Sequence, residues 1–348
     1  MKLRTARAWM LLLSLSLSLP LLTCDAPRAD EPKPVEPGPW KPGGTLGVNL
    51  SQSSFSSNWS GGDHGSFVWV LTSAMTAERQ FTTSFNLLNT LQLAYGQTAR
   101  QGTDPAHPGR SVWTQPDKTT DQIAFESVGR FSLQRYVDPY VSLHMDSQFL
   151  DQSNPVGRIR FNPIKLKESA GIARVLEKTE DREAISRLGF GFRQTLAKTF
   201  VDTLGLDRKR FTSNDGGFEW QTTVTRPILD KKVLFKGSLL VFQPVFYSKS
   251  SALRRFDVDA HAADSTREAV ANFWKSPDVN FQSTLAAQIT RHISVNLFAQ
   301  WVYDKFDAAA NVDNTQPIAA RIAEIDRNVR KAGQFKETLA IGLTYRLF

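Results

Sequence analysis

The sequence predicts an all-β fold, a transmembrane antiparallel up-and-down β-barrel of about twelve strands. Three observations predict it. The C-terminal segment alternates apolar and polar residues, eleven earlier segments do the same, and the connections alternate between long and short. Alternation with a period of two is typical of a β-strand, because successive side chains point to opposite faces of the sheet. Outer-membrane barrels combine such strands with short periplasmic turns and longer outer loops.

The N-terminal segment predicts export. Lys2, Arg4 and Arg7 precede an apolar, serine-interrupted stretch that ends at Leu22 and is too short for a membrane-spanning helix. We predict a signal peptide over residues 1–23, with cleavage between 23 and 30. Lipid attachment at Cys24 is not expected, because Thr23 is a poor residue immediately before a lipoprotein cysteine.

Domain organisation follows from a change of pattern near Gly44. Residues 24–43 are rich in proline, which favours an extended periplasmic linker. Residues 44–348 carry the alternating segments and are predicted to form the barrel. No apolar run after the signal peptide is long enough for a spanning helix. The chain is therefore predicted to cross the membrane as a barrel, and the alternative to the barrel is a soluble periplasmic β-protein.

Composition excludes several classes of protein. Cys24 is the only cysteine, so the sequence predicts neither a disulfide framework nor a cysteine metal site. The net charge of +8 includes three N-terminal cations and is not concentrated in a stripe that would bind nucleic acid. No metal motif or phosphate-binding loop is present, and no cofactor is expected. Asp215-Gly216-Gly217 is interpreted as a turn or a bulge.

Twelve segments have the alternation of a barrel strand. The last one places Leu339, Ile341, Leu343 and Tyr345 on one face, with Phe348 one position out of that register. The predicted strands are 45–55, 66–75, 81–95, 122–134, 141–149, 158–166, 188–196, 218–224, 233–247, 279–290, 295–303 and 333–348. Tryptophan and tyrosine near strand ends, among them Trp220, Trp301 and Tyr247, predict aromatic girdles at the membrane interfaces.

The lengths of the connections follow the alternation expected of a barrel, with one exception. The third, seventh, ninth and eleventh connections are long, whereas the second, fourth, eighth and tenth are short. The sixth, between Glu168 and Arg187, is long as well. Ile172, Val175 and Leu176 have helical spacing there, so this segment predicts a short helix.

Charged residues on the polar face of the strands predict a charged lumen. Both signs occur together, which favours internal salt bridges over an empty channel, although an anion-tinged channel or a substrate slot stays open as an alternative. The polar residues predicted to face the lumen are Glu126, Arg130, Asp146, Arg158, Arg160, Arg193, Glu219 and Lys236.

One strand raises the alternative of an enzyme. Ser142, His144 and Asp146 share the polar face of the fifth strand, and a nucleophile held against an imidazole is the arrangement a hydrolase needs. Under this alternative the protein modifies lipid or lipopolysaccharide near His144. The simpler interpretation is a hydrogen-bonded barrel interior without catalytic residues.

Several segments resemble a bacterial outer-membrane family catalogued as a domain of unknown function, number three thousand and seventy-eight. The opening segments that carry the resemblance are WKPGG at 40–44, NLSQSSF at 49–55 and NWSGG at 58–62. Later segments are KTTDQI at 118–123, DVNF at 278–281, VYD at 302–304, QFKE at 334–337 and GLTY at 342–345. The resemblance spans about 40–348, is weakest over 154–199, and implies an outer-membrane β-barrel without an established activity.

The predicted function is therefore that of a structural or passive transport component of the outer membrane. The expected partners are outer-membrane lipid and, during insertion, the barrel-assembly machinery; nucleic acid is not expected. The sequence does not define the oligomeric state or the solute.

Overall fold

The computed structural model describes residues 36–53, 65–104, 106–107, 111–133, 136–154, 156–200, 207–290, 292–308 and 310–347. The predicted signal peptide, its cleavage region, most of the predicted linker and the terminal Phe348 lie outside these ranges. The first strand begins at Lys41, inside the predicted linker, so the barrel starts slightly before the predicted boundary.

Twelve strands form one closed antiparallel barrel, which confirms the predicted fold class. The barrel strands are β1 (Lys41–Ser53), β2 (Ser66–Gln80), β3 (Phe85–Thr103), β5 (Asp117–Phe131), β6 (Asp138–Ser147), β9 (Ile164–Lys178), β10 (Glu183–Phe200), β11 (Arg208–Ile228), β12 (Val233–Tyr247), β13 (Asp278–Gln288), β14 (Ile293–Tyr303) and β15 (Gln334–Arg346). Three short strands lie in the long connections: β4 (Ser111–Trp113), β7 (Leu150–Asp151) and β8 (Ile159–Arg160).

Closure depends on the pairing of the first strand with the last. Leu46 lies opposite Tyr345 and Leu50 lies opposite Ile341, in an antiparallel register without a shift. Each remaining barrel strand pairs with its neighbours in chain order. Because the sheet closes on itself, the paired parts of β1 and β15 do not form free edges of the described sheet.

The helix predicted between Glu168 and Arg187 is wrong. This segment forms most of β9, a tight turn at 179–182 and the start of β10. Ile172 and Leu176 are four residues apart, a spacing that places two side chains on one face of a helix and equally on one face of a strand. Both are exposed on the outside of the barrel, whereas Val175 is on the opposite parity. The sixth connection is thus as short as the other even-numbered ones.

The sixth strand was also predicted too early in the chain. Residues 158–163 do not belong to the barrel wall, because the strand β9 begins only at Ile164. Instead, β8 pairs with β7 in a small hairpin within the fifth connection. This connection is therefore a long one, in agreement with the alternation of loops.

The exterior of the barrel is apolar. Each pair of adjacent barrel strands exposes large hydrophobic side chains on the outside of the barrel. Leu339 is 66 % exposed and Ile341 is 63 % exposed. Further examples are Leu46, Leu71, Val141, Leu188, Phe218, Trp220, Phe281 and Trp301. A closed barrel with an apolar outside is the form of a β-protein that spans a membrane.

Glycine on the inner face makes room for large rings. Tyr140 is only 2 % exposed and lies opposite Gly171, next to Gly189. A Cβ atom on Gly189 would lie 2.6 Å from the Tyr140 Oη and 2.6 Å from the carbonyl oxygen of Ala170. The tyrosine ring therefore packs against the backbone of the wall, which a side chain at Gly189 would prevent.

Two of the long connections fold together into a small cap. We define the loop cap as residues 248–277 and 304–333, which contain the helices α1 (Ser250–Ala263) and α2 (Ile318–Asn328) and a 3₁₀ turn (Phe273–Lys275). Its buried apolar residues include Leu253, Phe256, Phe273, Phe306 and Ile325, and Tyr247 at the end of β12 packs with them. Among the described residues, no helix has the length and hydropathy needed to cross a membrane.

Replacing Gly189 with alanine tests the packing of the wall. We expect Gly189→Ala to lower the free energy of unfolding by about 1–3 kcal/mol, because the added methyl group must displace the Tyr140 ring or separate two strands. The measurement is the urea midpoint of the heat-modifiable band of the refolded protein. Gly102→Ala is the control, since a Cβ atom there meets no atom within 4 Å. Equal midpoints for the two variants would contradict the packing described.

Candidate functional site: the barrel lumen

A row of ionisable side chains crosses one side of the lumen. Glu126 lies opposite His144, His144 opposite Lys167, Lys167 opposite Arg193, and Arg193 opposite Asp215. Directly opposite residues of adjacent strands share a face and lie within reach of each other. Together with Arg187 and Glu219, we call these residues the charged wall.

Arg193 is the centre of the charged wall. Its Nε donates to Asp215 Oδ1 at 3.1 Å, and its Nη1 donates to Asp278 Oδ2 at 2.7 Å on a strand that is not adjacent. The guanidinium carbon lies 3.8 Å from the centroid of the Phe242 ring. Charge that is removed from bulk water needs such partners, and a guanidinium can satisfy two carboxylates and an aromatic face at once.

Glu219 on β11 is bonded to residues of two further strands. The carboxylate is buried and accepts hydrogen bonds from the Lys167 Nζ at 2.8 Å and from the Tyr140 Oη at 3.2 Å. These partners lie on β9 and β6, so the network holds the inner faces of β6, β9 and β11 together. A buried carboxylate needs hydrogen-bond donors for both of its oxygen atoms, and one ion pair alone would not supply them.

Five of the residues predicted to face the lumen have charged or polar partners in this network or close to it. Glu126 accepts from Arg187 at 2.9 Å, Arg193 and Glu219 are bonded as described, and Asp146 lies 2.7 Å from the His144 Nε2. Arg130 lies 3.8 Å from Asp138 on the neighbouring strand. These residues are all on the inward parity of their strands.

The remaining three predicted residues have different surroundings. Lys236 is on the inward parity of β12 opposite Thr225 and Thr284, is exposed, and forms no ion pair with any described residue. Arg158 and Arg160 lie in the fifth connection, outside the barrel wall, because the sixth strand starts later than predicted. The wall does not place these two arginines in the lumen.

Lys167, Tyr140 and Asp215 belong to the network but were not among the predicted residues. Lys167 directly precedes the segment that is predicted as a helix, and a helix has no alternation from which an inward parity follows. Asp215-Gly216-Gly217 was interpreted as a turn or a bulge. The turn is wrong, because these residues lie within β11; the register to β12 shifts between Gly216 and Gly217, and the extra residue of this bulge is Val245 on β12.

The opposite side of the lumen is lined mainly by uncharged polar groups. The Gln300 Nε2 donates to the Asn280 Oδ1 at 3.1 Å, and the Asn296 Nδ2 donates to the Ser294 Oγ at 2.9 Å. Nine inward residues on this side form what we call the neutral wall. They are Asn49, Thr72, Thr90, Asn280, Gln282, Ser294, Asn296, Gln300 and Thr338. The lumen thus has a charged side and an amide- and hydroxyl-lined side.

The geometry around His144 does not support the hydrolase alternative. Asp146 contacts the His144 Nε2, and no hydrogen bond joins Ser142 to His144 in the described part of the chain. A catalytic triad needs the carboxylate and the nucleophile on the two different ring nitrogens. The described residues also contain no cluster of three or more histidine, cysteine, aspartate or glutamate side chains that could hold a metal ion.

The loop cap is attached to two of the strands that carry the charged wall, β9 and β11. Lys165 on β9 lies 3.2 Å from Asp307, and Ser213 on β11 donates to the carbonyl oxygen of Ala308. Lys209 contacts Asp313 at 2.7 Å, and hydrogen bonds from Lys209 and Thr315 lower the pKa of Asp313. A polar cavity of about 310 Å³ lies between this loop, the fifth connection and the ends of β10 and β11.

Some of the residues predicted to form the aromatic girdles are exposed on the outside of the barrel. Trp220, Trp301 and Tyr345 are exposed on the outside, and the Trp220 Nε1 donates to the Ser186 Oγ at 3.0 Å. Tyr247 is an exception, because it is 4 % exposed and packs into the loop cap at the outer end of its strand. The bulge in β12 reverses the alternation of inward and outward side chains before Tyr247, so this side chain does not face outward.

Comparison with known proteins agrees with the predicted resemblance. The model of a family described as "Protein of unknown function (DUF3078)" matches residues 50–152. No curated protein matches the chain significantly.

Three solved structures give a broader comparison. An outer membrane channel from Pseudomonas putida F1 is 12 % identical, with a TM-score of 0.39, and the match covers 92 % of this chain and 98 % of the other. The beta domain of the Bordetella autotransporter BrkA is 12 % identical (TM-score 0.31; 88 % and 98 % covered). The translocator domain of the autotransporter NalP from Neisseria meningitidis is 7 % identical (TM-score 0.34; 88 % and 87 % covered). Because all three TM-scores are below 0.5, nothing about the function of this chain follows from them.

A core substitution in the loop cap tests whether it is a separately packed unit. Phe256 is 1 % exposed, so Phe256→Ala is expected to remove about 3–5 kcal/mol of packing free energy from the cap. We expect faster proteolysis within 248–277 and 304–333, measured by mass spectrometry of the fragments, with heat-modifiable mobility of the barrel retained. Val258→Ala is the control on the same helix, because Val258 is 70 % exposed. Loss of the barrel together with the cap would contradict this separation.

Proposed function

We propose that this chain is a passive channel of the bacterial outer membrane that conducts small polar solutes through its lumen, with the loop cap restricting the outer mouth. The observation that carries the proposal is the two-sided lumen inside a barrel with an apolar exterior. Polar groups that line a wide barrel interior interact with water and with solutes rather than with lipid. Export by the predicted signal peptide is part of this proposal.

Because the lumen carries charges of both signs, we expect it to pass polar solutes without strong selection for anions or for cations. The charged wall pairs most of its cations with carboxylates, as in the Arg193 and Glu219 networks. Paired charges produce a weaker net field than a ring of one sign, which is what strongly selective channels use. We therefore expect weak selectivity between anions and cations.

A structural barrel with a closed lumen is the second candidate. The attachment of the loop cap to β9 and β11 favours it, because the cap contacts the wall at Lys165, Lys209 and Ser213. The two candidates differ in conductance. Planar-bilayer recording of the purified protein is expected to show discrete conductance steps, and removal of 308–330 is expected to enlarge them. A complete absence of steps in both proteins would leave the structural role.

Charge reversal at Lys236 tests whether solutes pass the inner wall. Lys236 has no ion-pair partner among the described residues, so its charge acts on the lumen without local compensation. We expect Lys236→Glu to shift the reversal potential in a KCl gradient toward cation selectivity, and more strongly at low salt, where the Debye length is longer. Lys236→Arg, which keeps the charge, should behave as the unchanged protein. An unchanged reversal potential for Lys236→Glu would contradict passage along this wall.

A further inference from the structure

The outer face of β10 and β11 carries three cations at one end of the apolar exterior. Lys198 lies directly opposite Arg210, and Phe200 lies opposite Arg208. The pairing of β10 with β11 has no register shift, so these residues have the same outward parity as Leu188 and Leu196. We call Lys198, Arg208 and Arg210 the rim cluster.

The rim cluster is at the height expected for lipid headgroups. On the same outward parity of β10, Ser186 lies toward the short-turn end of the strand, where it accepts a hydrogen bond from the Trp220 indole. Ser186 and Lys198 are about 30 Å apart along the barrel axis, at ~3.3 Å per residue and a tilt of ~40°. Because this distance slightly exceeds the apolar band of a membrane barrel, which is ~25 Å tall, the cluster emerges just beyond the band.

The cations of the rim cluster lack acidic partners in the described part of the chain. Arg208 and Arg210 are exposed, Lys198 is half-buried, and none of the three forms an ion pair there. Within the described ranges, the Arg208 guanidinium carbon lies 5.0 Å from the Phe200 ring centroid. Like charges placed directly opposite each other in a sheet are destabilising, so the Lys198–Arg210 pair favours an anion between them.

We infer that the rim cluster binds the phosphate groups of an outer-leaflet glycolipid of the lipopolysaccharide type, with Phe192 and Leu196 against its acyl chains. Arginine and lysine form charge-assisted hydrogen bonds with phosphate oxygens, and the adjacent outward side chains are apolar. This inference rests on the membrane placement in the proposed function, but it does not need the lumen to conduct.

The test uses the full protein in a neutral detergent and native mass spectrometry. The probe is bis-phosphorylated lipid A, with phosphatidylcholine as the zwitterionic lipid. We expect the protein to retain lipid A in preference to phosphatidylcholine, and Arg208→Gln/Arg210→Gln to weaken lipid A retention at least about tenfold, because two charge-assisted contacts are lost. The matched control is Arg174→Gln/Arg226→Gln, which removes two exposed outward arginines near the short turns.

Several results would overturn the inference. One is equal retention of the two lipids, and another is an equal loss of lipid A in the control variant. Displacement of lipid A by an equal concentration of inorganic pyrophosphate would assign the cluster to soluble phosphate instead. If the double variant loses its heat-modifiable mobility, Arg210→Gln and Lys198→Gln are tested singly, and retention unchanged in both overturns the inference. Conductance is recorded separately, so a silent channel with lipid A bound would contradict only the proposed function.

Discussion

The pairing of β1 with β15 is the constraint on which the rest of the structure depends. A lipid environment offers no partners for backbone N–H and C=O groups, so an open sheet would leave two edges unsatisfied. The register of Leu46 with Tyr345 and of Leu50 with Ile341 removes both edges. It also fixes which parity of every strand faces outward, because each strand inherits its orientation from the neighbour to which it is hydrogen-bonded.

Once the barrel is closed, its interior has to accommodate ionisable groups at a distance from bulk solvent. The ionisable side chains are kept in the interior and paired with each other. Arg193 contacts Asp215 and Asp278, and Glu219 contacts Lys167 and Tyr140. Replacing one member of such a set leaves its partner buried and unpaired, which is more destabilising than the absence of the whole set. The networks connect β6, β9, β10, β11 and the start of β13, and the uncharged amides of the neutral wall line the rest of the lumen.

Much of the barrel could be predicted from alternation and from loop lengths, because both are local properties of the sequence. The strand β12 was predicted with its observed bounds, Val233–Tyr247. The segment between Glu168 and Arg187 was not, since the spacing of Ile172 and Leu176 fits a helix and a strand equally. Local patterns also could not distinguish Arg158 and Arg160 in a loop from residues of a strand.

The contacts of the candidate site were less predictable than its polarity. Glu219 is separated from Lys167 by 52 residues and from Tyr140 by 79, so no spacing in the sequence indicates that these side chains meet. Their meeting depends on the register of four strands and on Gly171 and Gly189, which leave space for the tyrosine ring. The loop cap was missed for a similar reason, because its two segments pack on each other only after β12 to β15 are in place.

Closure of the barrel is tested most directly by a disulfide between its first and last strands. Val48 lies opposite Leu343, so Val48→Cys/Leu343→Cys, in a Cys24→Ser background, is expected to cross-link under mild oxidation and to change the mobility of the unfolded chain on a denaturing gel. Val48→Cys/Leu339→Cys is the control, because Leu339 has the same parity but lies further along the strand. Efficient cross-linking only of the first pair is the predicted result. Cross-linking of neither pair, or of both equally, would contradict a closed barrel in this register.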